Sequence, residues 1–316
     1  MVMPIRAHGS LETLENGSGI SDYLHLVRLT PLLERTRGRP EIKIGLIDGP
    51  VALEHPDLTT ENIREVPGAF AGTCALSSSA ACQHGTFVAA ILSAKRGSVA
   101  PAICPGCSLV VRPIFRETTS TNGQMPNASP QRLASAIVET VDAGARILNL
   151  SAALVQSSAK GERELQSALD DAAQRGTIVV AAVGNQGVVG SSVITRHPWV
   201  IPVAGCDRQG RPISQTNLGG AIGRRGILGP GDNITSLAPK GAPVTFGGTS
   251  AAAPFVTGTV ALLWSEFPTA FATELLLAVR KTGRLSRTAI VPPLLDAWAA
   301  HQFMLSRGET VNCRPN

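Results

Sequence analysis

Gly247-Gly248-Thr249-Ser250-Ala251-Ala252-Ala253-Pro254 joins a flexible turn to a long apolar helical pattern: Phe255, Val256, Val260, Ala261, Leu262, Leu263 and Trp264. A serine at such a junction has two uses. Its hydroxyl can cap the helix by accepting from the free N–H groups of the first turn. It can also serve as a nucleophile, because the same N–H groups and the helix dipole stabilise an oxyanion beside it. The rest of the chain decides between them.

Upstream of this stretch, strand and helix patterns alternate. Ile42–Ile47 is a buried strand pattern ending at Asp48. His84 opens a predicted helix to Lys95, with Phe87, Val88, Ile91 and Leu92 on one face. Leu109–Ile114 is a strand, and Ser129 opens a helix over Pro130–Ala143 that turns Leu133, Ile137, Val138 and Val141 inward. Ile147–Ser151 is a strand, Lys160–Arg175 a helix closed by Gly176, and Thr177–Val183 a β-branched strand ending at Gly184-Asn185. Ile201–Gly205 and, beyond a Gly-rich passage, Ile234–Ala238 are further strands. This repetition predicts a three-layer α/β fold: a mostly parallel central sheet with helices on both faces. Residues 1–40 are an N-terminal extension, with Thr30 capping a short helix that has Pro31 at its first position, and Tyr23–Leu33 apolar enough to pack on the body. Residues 41–300 form one domain, and 301–316 a tail; helical character runs through Leu294, Leu295, Ala297 and Trp298.

With 316 residues, 43% of them hydrophobic, the chain can bury a large core. Aromatics make up only 4%, and the net charge of +5 comes from scattered cations, which argues against a nucleic-acid surface. No run of eighteen apolar residues is present, so no membrane span is expected. The first twenty residues contain Glu12, Glu15 and Asn16 and lack the apolar core of a secretory signal, so the expected location is the cytosol. Among the six cysteines, Cys74/Cys82 and Cys104/Cys107 could be local disulfides or free thiols, whereas Cys206 and Cys313 look unpaired. No metal constellation stands out, and no cofactor is expected.

In a parallel sheet, ligands sit at the carboxyl ends of the strands. Asp48 and Asn185 end strands, and His84 and Ser250 open helices. A serine hydroxyl needs a base to take its proton, and histidine is suited to that. A carboxylate behind the histidine fixes its tautomer, and an amide N–H₂ beside the serine stabilises an oxyanion. Each residue also has a plainer use: Asp48 as a strand-end carboxylate, His84 as a helix-start residue, Ser250 as a cap, Asn185 as a turn former.

The order Asp, His, Ser, in Ile47-Asp48-Gly49, His84-Gly85-Thr86 and Gly248-Thr249-Ser250-Ala251-Ala252-Ala253-Pro254, resembles the subtilisin-like serine proteases. The resemblance covers about residues 41 to 280. It implies that Asp48 orients, His84 is base and then acid, and Ser250 attacks, with Asn185 and the Ser250 N–H as oxyanion donors. It also implies that Asn149-Leu150-Ser151-Ala152-Ala153 holds peptide by strand addition, so that Ser151, Ala152, Ala153 and Gly184 bind substrate. Family members commonly carry a second histidine where this chain has Phe87, a difference expected to affect packing. Many hold calcium in a loop after this helix; here Ala94–Ala100 has two cations and no carboxylate, so none is expected. Ile103-Cys104-Pro105-Gly106-Cys107-Ser108-Leu109 and Leu46-Ile47-Asp48-Gly49-Pro50-Val51 are similar to the cyanobactin-maturation proteases, which remove the leader from a ribosomally made precursor peptide. The implied activity is that of a serine endopeptidase acting on a precursor or other peptide. The alternatives are a general protein-degrading subtilase and a peptide-binding pseudoprotease.

Overall fold

The computed structural model describes residues 18–119, 128–151, 159–284 and 288–312. A lead-in of α1 (Ser18–Leu26) and α2 (Thr30–Arg35) precedes β1 (Lys43–Asp48). Then follow β2 (Ile63–Glu65), α3 (Ala80–Ser93), β3 (Ser108–Pro113), α4 (Pro130–Asp142), β4 (Ile147–Leu150), α5 (Ala159–Gln174) and β5 (Ile178–Ala182). The second half holds α6 (Val193–Arg196), β6 (Val200–Cys206), α7 (Gly220–Arg225), β7 (Ile227–Pro230), β8 (Ile234–Ser236), β9 (Val244–Phe246), α8 (Thr249–Glu266), α9 (Ala272–Lys281) and α10 (Ala297–Asn312).

Seven strands form one sheet in the order β2-β3-β1-β4-β5-β6-β7, and every neighbouring pair is parallel. The chain leaves β1 toward one edge and returns to its other side at β4, so the switch in strand order lies beside β1. Both faces are covered, and alternate strand residues face opposite layers. Ile44, Leu46, Leu109 and Val180 pack on the side of α3 and α8, and Ile47, Val110, Leu148 and Val179 on the side of α4 and α5. This is the three-layer fold the sequence predicted.

The structure corrects several local expectations. Ile234–Ser236 does not join the main sheet; it pairs antiparallel with Val244–Phe246 in a separate two-stranded ribbon. The seventh strand instead comes from the Gly-rich passage, at Ile227–Pro230. Thr30 is the first residue of α2 rather than its cap, and Leu29 precedes it without a side-chain cap bond. Val138, predicted inward, is 37% exposed, whereas Leu133, Ile137 and Val141 are buried. Ser129 does cap α4, accepting from the Arg132 N–H. Leu294 and Leu295 are buried ahead of α10. In the lead-in, Tyr23, Val27, Leu29 and Leu32 are all buried against the body.

α8 is the axis of the molecule. Ala251–Ser265 is buried on every side, which a helix tolerates only inside a core. It packs against β4, β5, β6 and β7 and against α3. Phe87 of α3 is fully buried with its ring 4.9 Å from that of Phe246, so the difference at this position does act through packing.

Candidate active site

Three elements bring the predicted side chains together at the carboxyl end of the sheet. Asp48 is the last residue of β1. α3 starts at Ala80 rather than at His84, so His84 sits in its second turn. Ser79 precedes the helix, but its hydroxyl accepts from Thr118 N–H instead of capping. The approach of α3 to the end of β1 depends on two glycines. A Cβ on Gly49 would lie 1.9 Å from the Ala81 carbonyl oxygen, and one on Gly85 would lie 2.4 Å from the carbonyl oxygens of Gly49 and Pro50. Backbone therefore meets backbone at this crossing, and His84 reaches Asp48.

His84 Nδ1 lies 2.7 Å from Asp48 Oδ1, and His84 Nε2 lies 2.9 Å from Ser250 Oγ. Asp48 is fully buried, while the His84 side chain is 14% exposed. Asp48 Oδ1 also accepts from the Gly49 N–H at 2.6 Å. Burial opposes a charged His84, but the Asp48 charge and hydrogen bond outweigh it and leave the imidazole pKa above its ordinary value. With Nδ1–H donated to the carboxylate, Nε2 is free to accept from the serine hydroxyl. The Ser250 hydroxyl thus faces the imidazole, and no side-chain cap bond closes the start of α8.

Asn185 follows β5 and faces the same point. Its Oδ1 accepts from the Thr249 N–H at 2.9 Å, which fixes the amide so that Nδ2 is left to donate. Gly248, with φ +110°, precedes α8, and a Cβ there would lie 2.7 Å from Asn185 Nδ2. Thr249 Oγ1 accepts from the Gly184 N–H at 3.1 Å, and the Gly184 carbonyl accepts from the Asn217 N–H at 2.9 Å. Gly184 therefore spends its backbone groups inside the protein. Pro254 removes the helical bond that would end on the Ser250 carbonyl.

β4 ends beside this group. Asn149 is buried, accepts from the Thr257 hydroxyl of α8 at 2.8 Å, and donates to Ser151 Oγ at 2.9 Å. Ser151 is half-buried. Ala152 and Ala153 lie outside the described residues. Asn217 escaped the sequence reading. It accepts from Gln186 and Val188 N–H and donates to the Val183 carbonyl, pinning the loop that follows Asn185. A single asparagine in a Gly-rich passage carries no pattern that would have marked it.

A disulfide joins Cys74 to Cys82, settling the pairing that the sequence left open and tying the loop before α3 to its first turn. Cys104 and Cys107 are buried free thiols; the Cys107 N–H bonds the Cys104 carbonyl across the Pro-Gly turn instead. Cys206 is free, and burial with the nearby Asp207 and Asp232 charges pushes its thiol to about 12. Cys313 lies outside the described residues. Among the described residues, the only three-membered group of metal-type side chains is Cys74, Cys82 and Glu117. Both sulfurs are spent in the disulfide, and Glu117 accepts from Ala75 and Leu76 N–H. Arg225, the last residue of α7, donates to the Thr195 and Arg196 carbonyls.

A buried carboxylate, an imidazole and a hydroxyl in series, with an amide donor alongside, is an arrangement that can activate an oxygen nucleophile. The family model of the subtilases, Peptidase_S8, matches residues 39–290. The chain belongs to the subtilase family. This subtilase is a hydrolase of the subtilisin-like serine protease class. It is 28% identical to subtilisin DY of Bacillus licheniformis over 253 residues, which cover 78% of this chain and 83% of that protein. At 27% identity it spans 56% of the length of subtilisin E of Bacillus subtilis. Among solved structures it resembles the prenylagaramide maturation protease PagA, with a TM-score of 0.76 and 27% identity over 87% of this subtilase and 98% of that chain. A variant of the protease domain of PatA, whose parent is described as a patellamide maturation protease, gives 0.75 and 27% over 86% and 97%. Among the described residues of the subtilase, no helix is long and apolar enough to cross a membrane.

Proposed function

We propose that this chain is a serine endopeptidase that removes the leader from a ribosomally made precursor peptide. The observation that carries the catalytic part is the continuous hydrogen-bond relay from Asp48 through His84 to Ser250. As the Ser250 Oγ–C bond to the scissile carbonyl forms, the hydroxyl proton passes to His84 Nε2. The carbonyl oxygen becomes an oxyanion, for which Asn185 Nδ2 and the Ser250 N–H are the donors. Collapse breaks the C–N bond, and the departing amine takes the proton from Nε2. Water then repeats the sequence on the acyl-enzyme, again with His84 as base.

Peptide lies along the end of β4, at Ser151, Ala152 and Ala153, with the side chain before the cut against Gly184. The maturation role is supported by the likeness to PagA and to the PatA protease domain. Residues 41–300 are the peptidase unit, with 1–40 as an extension and 301–316 as a tail. A cytosolic location accords with that role, since precursors are made by ribosomes, and with the free thiols of Cys104, Cys107 and Cys206. The Cys74–Cys82 bond runs the other way.

Labelling with a fluorophosphonate serine probe, read by mass spectrometry beside a Ser250→Ala control, tests the mechanism. A single adduct on Ser250, absent from the control, is expected. No adduct on folded protein overturns it. Cleavage of a precursor peptide at one bond, with casein left intact, is expected next; digestion of casein would make the chain a general degrader.

A further inference from the structure

A second recess opens at the opposite end of the sheet. It holds about 360 Å³ and is lined by residues that precede β4 and β5 and by the turn between α8 and α9, including Arg146, Arg175, Trp264 and Phe271. Arg146 immediately precedes β4, whose other end leads to Ser151. Trp264 lies fourteen positions after Ser250 on α8, so the recess is about 21 Å from the serine at 1.5 Å per helical residue. It is separate from the peptide path beside Ser250.

Two cations, Arg146 and Arg175, line this recess. The Arg146 guanidinium lies 3.8 Å over the Trp264 ring. Trp264 is held in turn by its indole N–H, which donates to the Ala270 carbonyl at 3.1 Å. The contact holds the guanidinium, with its fork of N–H groups, against the ring. No carboxylate and no hydrogen-bond acceptor of the described protein meets that fork, although burial lowers the pKa of Arg146. Half-buried and without an acceptor, the guanidinium can take an incoming carboxylate. Arg175 stands beside it, already paired with Asp142 at 2.6 Å. On the rim, Phe271 is 75% exposed, an unusual setting for so large an apolar side chain.

We infer that the recess formed by Arg146, Trp264 and Phe271 is a remote docking site for an acidic, aromatic-bearing segment of the peptide substrate. Arg146 takes a carboxylate edge-on, in the bidentate geometry that guanidinium favours, and Phe271 packs on a neighbouring apolar side chain. The inference rests on the peptidase reading for the identity of its ligand. An extended chain advances about 3.3 Å per residue, so the acidic segment lies at least about seven residues from the cut bond.

The test uses the full chain carrying Ser250→Ala, so that no probe is cut. Fluorescence anisotropy measures binding of a labelled peptide of alternating glutamate and phenylalanine, with the glutamine counterpart as control. The glutamate peptide is expected to bind at least about tenfold more tightly than the glutamine one, and Arg146→Gln to remove that advantage. Phe271→Ser, a change on the exposed rim, is expected to weaken binding about threefold or more even if Arg146→Gln fails to fold. With Ser250 intact, Arg146→Gln should raise KM for a long substrate bearing the acidic segment and leave kcat unchanged. Equal affinity for the two peptides, or unchanged affinity in both folded variants, overturns the docking site. Failure of the unsubstituted enzyme to cut even a short peptide would count against the peptidase reading alone, since the binding arms do not depend on cleavage.

Discussion

Asp48 gives only one of its two oxygens to protein donors. Oδ1 serves both the Gly49 N–H and His84, while Oδ2 is buried with no partner among the described residues. The carboxylate therefore directs its charge at the imidazole, and the His84 pKa rises despite burial. Two pH effects of opposite sign follow. As the base, His84 must be neutral, so kcat/KM should climb with pH through a midpoint above the 6.5 of a free imidazole. The folded state holds that proton to a higher pH than the unfolded chain does. The stability due to the Asp48 contact is therefore full below about 6.5 and fades as pH rises through the folded pKa. A pH–rate profile set beside urea unfolding at the same pH values checks both; a limb at or below 6.5 would contradict the geometry. At Asn185, loss of the amide should lower kcat by about a hundred- to a thousandfold with KM little changed. Gly248→Ala should fall in the same direction although Asn185 is retained, because the new methyl would lie 2.7 Å from Nδ2 and push the amide aside, and φ +110° disfavours any side chain. Steady-state kinetics of the two variants would show it.

At the level of elements, the strands and helices that carry the site were readable because each has its own period and a polar residue at the correct end. β1, β4, β5 and α8 announce themselves in this way. The start of α3 did not, because Ala80–Gln83 carries no capping pattern and Ser79 bonds elsewhere. β7 was hidden by Gly229 and the glycines flanking it, and β8 was misassigned because a short run opened by the β-branched Ile234 and Thr235 reads alike in a sheet or a ribbon. Long-range staples were equally silent. The Ala94–Ala100 loop, read as too poor in carboxylates for calcium, sets the Arg96 guanidinium against the carbonyls of Leu33, Thr36 and Ile103. One side-chain cation thus ties the lead-in, the end of α3 and the approach to β3. Arg96→Met should cost about 2 kcal/mol, since it strands those carbonyls. Chemical denaturation would measure it. Next to His84, the Cys74–Cys82 bond closes a short loop onto the first turn of α3. Replacing both cysteines with serine should lower stability by about 2–3 kcal/mol on the loop-closure model, with kcat lowered as well. Unchanged stability on reduction would mean that the loop's own bonds, such as Glu117 to Ala75 and Leu76, already hold it.

For the molecule as a whole, the three-layer architecture was legible because a sheet buried on both faces writes continuous apolar strands. The meeting of residues from β1, α3, β5 and α8 was legible only as an expectation of where strand ends gather, since no local pattern states a distance. The buried course of α8 has a bearing on motion. A segment enclosed on every side cannot open by itself, so its amides should exchange with solvent only when the entire structure comes apart. Ser250 is the residue immediately before that segment, in the first turn of the same helix. Joined to that segment, the nucleophile is expected to keep its alignment until the molecule unfolds and to be lost in the same event. Heat inactivation and global unfolding of this enzyme should follow one curve, and hydrogen exchange along Ala251–Ser265 should report the same free energy as both.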